Sequence, residues 1–349
     1  MISLSNLYFG NASPGDALRF GNEQNAERDG DSPKVVAWNL TNRCNLACRH
    51  CYADANTSCG EMSSAEAKDV LRSLAQCGVC AVLFSGGEPL MRNDVFELAH
   101  FADRLGLRVT LSSNGTLIDA ETARKIAAAH MTYAGLSIDG DMALHDAFRG
   151  MKGAYSRTLA AFGHLREAGV KAGLRVTLTR SNAGIIPEFF ALMRREAIPR
   201  ACFYHLMPSG RGVAMGGEML SQEETCNVLD AILQEMRKCH EASFEPEVLT
   251  VGRASDGEWL LERMQGEAHP LADRAEKLLQ RQRSGGGIVC ISWDGTVHPN
   301  QFMRGISLGN VRFAPLAEIL RRAHFGKCDG GLQGAVKYDI IHPRHKNWS

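Results

Sequence analysis

The chain has 349 residues, 44% hydrophobic and 22% charged, a globular composition large enough for one big domain with an appendage. Its 39 Lys and Arg balance its 39 Asp and Glu, so bulk charge does not suit it to nucleic acid. No apolar run approaches the roughly 20 residues of a membrane span, and 11 unevenly spread cysteines do not read as a secreted disulfide framework.

The N-terminus has no basic region followed by an apolar core, so no secretory signal is expected, and thiolate chemistry in a reducing, cytoplasmic setting fits better. Residues 1–32 are polar and form a lead-in, ordered only near 4–9. A strand is predicted over 35–40. Residues 63–76 form a helix opened by Ser63 and Glu66 at capping-box spacing. Then come a strand over 79–84, a helix over 94–105, a strand over 107–112 and a helix over 119–129. A strand over 133–138 precedes a helix over 154–168 that Gly169 ends. Strand 171–177, helix 185–196, strand 201–206 and helix 222–240 complete the series.

Six strands, each followed by a helix, imply parallel strands joined by right-handed crossovers. Their near-continuous apolar runs suit a sheet covered on both faces. Six units are too few for a closed eight-fold barrel, so the fold class is α/β, a partial (β/α)6 TIM-like barrel. We divide the chain into the lead-in 1–32, the barrel 33–212 and a C-terminal region 213–349. In such architectures chemistry collects after the carboxyl ends of the strands.

After the first strand stand Cys44, Cys48 and Cys51, spaced Cys-x3-Cys-x2-Cys, with Tyr52 next. Structural zinc normally takes four ligands, often as two pairs, and no fourth lies at such spacing here. A cubane 4Fe-4S cluster held by three thiolates would keep one iron open to an outside ligand. His50 is adjacent but would project away from the cysteines. After the second strand comes Ser85-Gly86-Gly87-Glu88-Pro89-Leu90. The glycines allow close backbone approach to a ligand, and the Glu88 carboxylate can accept from an ammonium group.

These two motifs together resemble the radical S-adenosylmethionine (SAM) enzymes. The resemblance implies a radical SAM barrel carrying one site-differentiated 4Fe-4S cluster on Cys44, Cys48 and Cys51. It also implies SAM, cleaved after one-electron reduction to give a 5′-deoxyadenosyl radical that abstracts hydrogen from substrate. Gly86, Gly87 and Glu88 would meet the SAM ammonium. Ser112 and Asn114 would hold the ribose, Ser137 and Arg149 the amino-acid and ribose portion, and Leu206 would pack on the adenine. An electron donor such as flavodoxin or ferredoxin is implied as a partner.

The lead-in, 1–10 and 14–21, resembles radical SAM proteins of the alternative haem and haem d1 pathways, which act on didecarboxysiroheme. So do the segments 203–212, 287–290, 297–302 and 309–311. A tetrapyrrole substrate is therefore implied, with a SPASM-like C-terminal extension. His205 reads as a core histidine or a haem contact. His298, Gln301 and Arg211 are expected at the cavity, with Arg211 and Arg304 as cationic partners for carboxylates. The barrel motifs are shared with SPASM maturases that modify a peptide or protein, and that alternative stands, as does an iron–sulfur or haem-binding protein without turnover. Relatives carry a second, auxiliary 4Fe-4S cluster on C-terminal cysteines. After Cys290 only Cys328 remains, and two ligands cannot hold a cubane, so that cluster is expected absent, incomplete or completed from elsewhere. A truncated or frame-shifted C-terminus would look the same. Cys59, Cys202, Cys226 and Cys239 are expected to be core residues, as are Cys77 and Cys80.

Overall fold

The computed structural model describes residues 1–13, 15–16, 33–57, 60–284 and 288–322. Most of the second half of the lead-in, Cys59, Gly285 and the C-terminal stretch with Cys328 lie outside them.

The elements begin with β1 (Ile2–Ser3) and α1 (Leu4–Phe9). The barrel units follow: β2 (Val35–Thr41), α2 (Ser64–Gln76), β3 (Ala81–Gly86), α3 (Val95–Arg104), β4 (Arg108–Ser113), α4 (Ala120–Ala128) and β5 (Tyr133–Ser137). Two helices come next, α5 (Met142–Arg149) and α6 (Ala154–Glu167), then β6 (Lys171–Leu178), α7 (Ile186–Arg195), β7 (Arg200–His205) and α8 (Gln222–Glu241). The chain continues through β8 (Glu247–Val251), α9 (Ser255–Gly266), α10 (Ala272–Ser284), β9 (Val289–Ile291), β10 (Thr296–His298), β11 (Gly309–Asn310) and α11 (Leu316–Arg322). A 3-10 segment, Gly210–Glu218, follows β7.

One sheet orders its strands β1-β8-β7-β6-β5-β4-β3-β2-β9-β10-β11. Strands β2 to β7 pair in parallel with their sequence neighbours, the expected six βα units. The parallel sheet also runs past residue 212, because β8 adds beside β7. At the other end β9 pairs in parallel with β2, and β9–β10–β11 turn back as an antiparallel ribbon. The predicted capping box at Ser63 and Glu66 forms, each side chain meeting the other residue's backbone N–H.

Residues alternate across a strand, so one face of this sheet looks to the helices and the other into the barrel. Trp38, Leu40, Phe84, Leu111, Leu136, Leu174 and Phe203 fill the core under the helices. The inner face differs from the continuous apolar run expected. Toward the carboxyl ends it carries Asn39, Ser85, Ser112, Ser137, Arg175 and Tyr204, and the last four are only half-buried. A polar interior that is not packed shut suits a ligand chamber better than a core. Of the cysteines expected in the core, Cys202 and Cys239 are buried, while Cys77, Cys80 and Cys226 are half-buried.

Candidate active site

The loop after β2 is held from several sides at once. Asn56 accepts from the Cys44 N–H (2.8 Å) and donates to the Cys44 carbonyl (2.9 Å). Glu61 accepts from the Asn42 N–H and the Thr41 hydroxyl. Asn45 donates to Thr116 (2.8 Å) and accepts from Asn114 (2.9 Å), tying the loop to the end of β4. The Ala47 and Arg49 N–H groups donate to the carbonyls of Arg149 and Phe148 at the end of α5. The Arg211 backbone and side chain donate to the Cys51 and Cys48 carbonyls (3.0 and 2.8 Å) from the segment after β7. Three thiols are thus carried by a loop whose shape is set by its own side chains, the end of β4, the end of α5 and the segment after β7.

Each of the three sulfurs receives an N–H donor: Leu46 to Cys44 (3.4 Å), Arg149 to Cys48 (3.7 Å) and Ala55 to Cys51 (3.5 Å). Donors aimed at sulfur stabilise thiolate, the form that ligates iron. Burial works the other way, pushing the Cys44 thiol up to about 12 and raising that of Cys48 against the pull of Arg149. Iron binds the thiolate form, so ligation at these residues would release the protons that burial retains. The donor set fits a cluster on these three residues.

The neighbouring glycines are fitted to the same loop. A Cβ on Gly87 would lie 2.2 Å from the Arg43 carbonyl oxygen, and one on Gly86, whose φ is +139°, would lie 2.4 Å from that of Thr41. Glu88 is fully buried and links β3 to β4. It accepts from the Leu90 N–H (3.2 Å), the Ser113 hydroxyl (2.9 Å) and the Asn114 N–H (2.8 Å). Burial nevertheless pushes its carboxyl up to about 7, outweighing those donors. Three of its roughly four acceptor positions are occupied, leaving one for a ligand.

Arg149 lies at the end of α5, a helix absent from the elements predicted. Its Nε and Nη2 both meet Asp139 Oδ2 (2.7 and 2.5 Å) while Nη1 reaches Cys48. Asp139 is buried and also accepts from the Thr177 N–H (2.8 Å). Sequence reading passed over Asp139 and Asn56. The signal for Asp139 was an acid ending the apolar run of β5, ten residues before a basic residue that needs a partner. Asn56, twelve residues beyond Cys44, gave none.

The other expected contacts divide. Ser112 and Ser137 are half-buried on the inner face, and neither hydroxyl engages another described residue. Asn114 spends its amide on Asn45 and Thr116, so it shapes the loop rather than offering a free group. Leu206 packs with Phe148 and Met215 in a small cluster apart from the main core. Arg211 does not reach into the cavity as expected: its fork is committed to the Cys48 and Ala55 carbonyls and to Asp54. His298 is likewise committed. Its Nδ1 donates to the Ile306 carbonyl (2.8 Å) and its Nε2 faces the Ser292 hydroxyl (3.0 Å), leaving no lone pair for iron. His205 pairs with buried Asp256 (2.8 Å), as a core histidine does. Gln301 is half-buried beside Phe302, whose ring meets Tyr52 edge-on at 5.4 Å. His50 stacks on Phe148, with centroids 4.3 Å apart.

Residues 38–189 match the model of the radical SAM superfamily. The Fe-coproporphyrin III synthase of Methanosarcina barkeri is 45% identical over 91% of this chain and 83% of its own length. The pre-heme d1 synthase of Dinoroseobacter shibae is 35% identical over 82% of this chain and 73% of its own. Among solved structures, native anSMEcpe with bound AdoMet superposes with a TM-score of 0.63 at 17% identity, over 82% of this chain and 79% of that one. SuiB from Streptococcus suis gives 0.66 at 15% identity, over 83% and 65%. These two share the fold. The barrel, the cysteine loop with its sulfur donors and the long sequence match agree: the chain belongs to the radical SAM superfamily, in the family of the Fe-coproporphyrin III and pre-heme d1 synthases.

Proposed function

We propose that this enzyme alters the side chains of a siroheme-derived tetrapyrrole of the didecarboxysiroheme type. The observation that carries this is coverage. The two synthases above match more than four-fifths of the chain, whereas the mycofactocin maturase of Mycolicibacterium smegmatis, at 37% identity, matches 53%, and one AdoMet-dependent heme synthase of Methanosarcina barkeri, at 40% identity, matches 52%. What is shared with that maturase is about half of the chain.

A 4Fe-4S cluster on Cys44, Cys48 and Cys51 would supply the electron that cleaves SAM. The residues divide the rest. Glu88 and the Gly86–Gly87 backbone would receive the SAM ammonium, and because the Glu88 carboxyl sits near about 7, binding an ammonium there would release its proton. Arg149, already anchored by Asp139, would meet the SAM carboxylate, with Ser112 and Ser137 toward the ribose and Leu206 against the adenine. Flavodoxin or ferredoxin would be the donor, in the cytoplasm. Of the two cysteines left for an auxiliary cluster, Cys290 is fully buried with its sulfur toward the Ile291 carbonyl (3.7 Å), and Cys328 lies outside the described residues.

Anaerobically reconstituted enzyme should contain about four irons per chain, the content of one cubane, and Cys44→Ala with Cys48→Ala and Cys51→Ala should remove them. About eight irons would require a second cluster. Given SAM, a reductant and didecarboxysiroheme, it should form 5′-deoxyadenosine together with a tetrapyrrole of lower mass. Formation of 5′-deoxyadenosine with the tetrapyrrole unchanged, but with a leader peptide modified, would replace this reading by the maturase one.

A further inference from the structure

Several charged groups inside this protein pair with an opposite charge. Arg92 holds Asp94, Arg149 holds Asp139 and Arg200 holds Glu247. Arg175 does not. It stands on the inner face of β6, half-buried, and its guanidinium has neither an ion pair nor a side-chain hydrogen bond with any described residue. Its neighbours are Tyr204, Cys202, Tyr133 and Tyr52, with Cζ 4.7 Å from the centroid of the Tyr204 ring. The chain makes room for it: a Cβ on Gly135, on β5 two residues before Arg175's partner Ser137, would lie 2.7 Å from Arg175 Cδ. A cation partly withdrawn from water with no counter-charge beside it loses hydration that nothing in the protein replaces in full. Stacking on an aromatic face offsets part of that cost and fixes the plane of the fork, but leaves its N–H edge unmatched.

The chamber therefore lacks an anion. We propose that Arg175 is a substrate-binding residue that takes one carboxylate of the substrate inside the barrel, its fork oriented by Tyr204. This rests on the tetrapyrrole reading, since such a ring carries several acidic side chains on a flat frame. Tyr52, with its hydroxyl on Asn39 (3.0 Å) and its ring against Phe302, supplies an aromatic wall beside that fork. SAM also has a carboxylate, and the test separates the two sources.

The experiment titrates reconstituted, anaerobic enzyme with iron coproporphyrin III and with its tetra-amide, following the absorption band, and measures SAM binding separately. Wild type should prefer the acid. Arg175→Gln should weaken acid binding by about tenfold or more, the loss expected for a charged fork, while amide and SAM affinities stay within about twofold. Arg175→Lys should recover part of the preference and provides the readout should the Gln variant fail to fold. Equal loss on acid and amide, no loss, or a loss confined to SAM would each overturn the assignment. If wild type binds neither tetrapyrrole, the tetrapyrrole reading fails first. If wild type binds the acid and Arg175→Gln binds it equally well, only Arg175 is misassigned.

Discussion

Arg149 is tied to the loop, to the sheet and to one sulfur, and His145 shows how tightly its surroundings are arranged. His145 lies one turn earlier on α5 and is almost fully buried. Its Nδ1 accepts the Asp139 N–H (3.1 Å), so the ring proton sits on Nε2, which meets no partner. Burial first and the Arg149 charge second lower its pKa from 6.5 to about 4. A histidine whose folded pKa lies below its unfolded value contributes stability that is complete above the unfolded pKa. That stability is lost as pH falls toward the folded value. For His145 the loss between about pH 6.5 and pH 5 is on the order of 2 kcal/mol. His145→Gln, whose amide oxygen can accept the same N–H, should lose less over that interval. Thermal melts of both proteins at pH 7 and pH 5 check this, and equal drops would remove His145 as the source.

Elements were legible where periodicity and punctuation agreed. The six barrel strands are apolar runs bounded by helix caps and glycines, and all six pair as the alternation required. Helix α5 was hidden because it is short and lies between Gly140 and Gly150, which read as loop. Strand β8 was hidden because it has only five residues, although Ser243 and Pro246 mark the turn before it. The cysteines and the Gly-Gly-Glu run were legible because their spacing is local. Asp139, Asn56 and Arg175 were not, because what matters about them is a partner, or a missing one, far along the chain. The misplacement of Arg211 and His298 has the same origin: both look chemical in sequence, and both satisfy backbone carbonyls in the fold. The contact between β3 and the cysteine loop makes an element-scale prediction. Gly87→Ala drives a methyl group onto the Arg43 carbonyl, and Gly210→Ala drives one to 2.4 Å from the Cys51 carbonyl from the opposite side. Both atoms met are backbone, which cannot rotate away. Each variant should keep wild-type far-UV circular dichroism yet fall well below about four irons per chain on reconstitution. Full iron content in both would show that the loop is not clamped between these glycines.

Across the whole molecule, the two ends of the sheet are closed by different parts of the chain. The carboxyl-terminal ribbon β9–β11 closes the β2 side, next to the cysteine loop. The lead-in closes the other: β1 pairs with β8, and the Ser5 hydroxyl accepts the Val248 N–H (3.0 Å). Tyr8 bridges Arg237 and Glu267, and Arg274 donates to the Asn6 carbonyl and side chain. Ile2, Leu4 and Leu7 are buried. Burying three such side chains contributes roughly 5–8 kcal/mol, and uncovering β8 would expose a sheet edge open to association with other copies. Among the described residues, the cysteine loop takes ties from β4, α5 and the segment after β7, and none from the lead-in. Removing residues 1–10 should therefore lower the melting temperature and promote aggregation while leaving about four irons per chain in the soluble fraction. Melting and iron analysis on the same preparation decide the point. If the cluster is lost while the soluble fraction remains folded, the lead-in supports the site through contacts that run across the barrel. If stability is unchanged, it does not close the sheet.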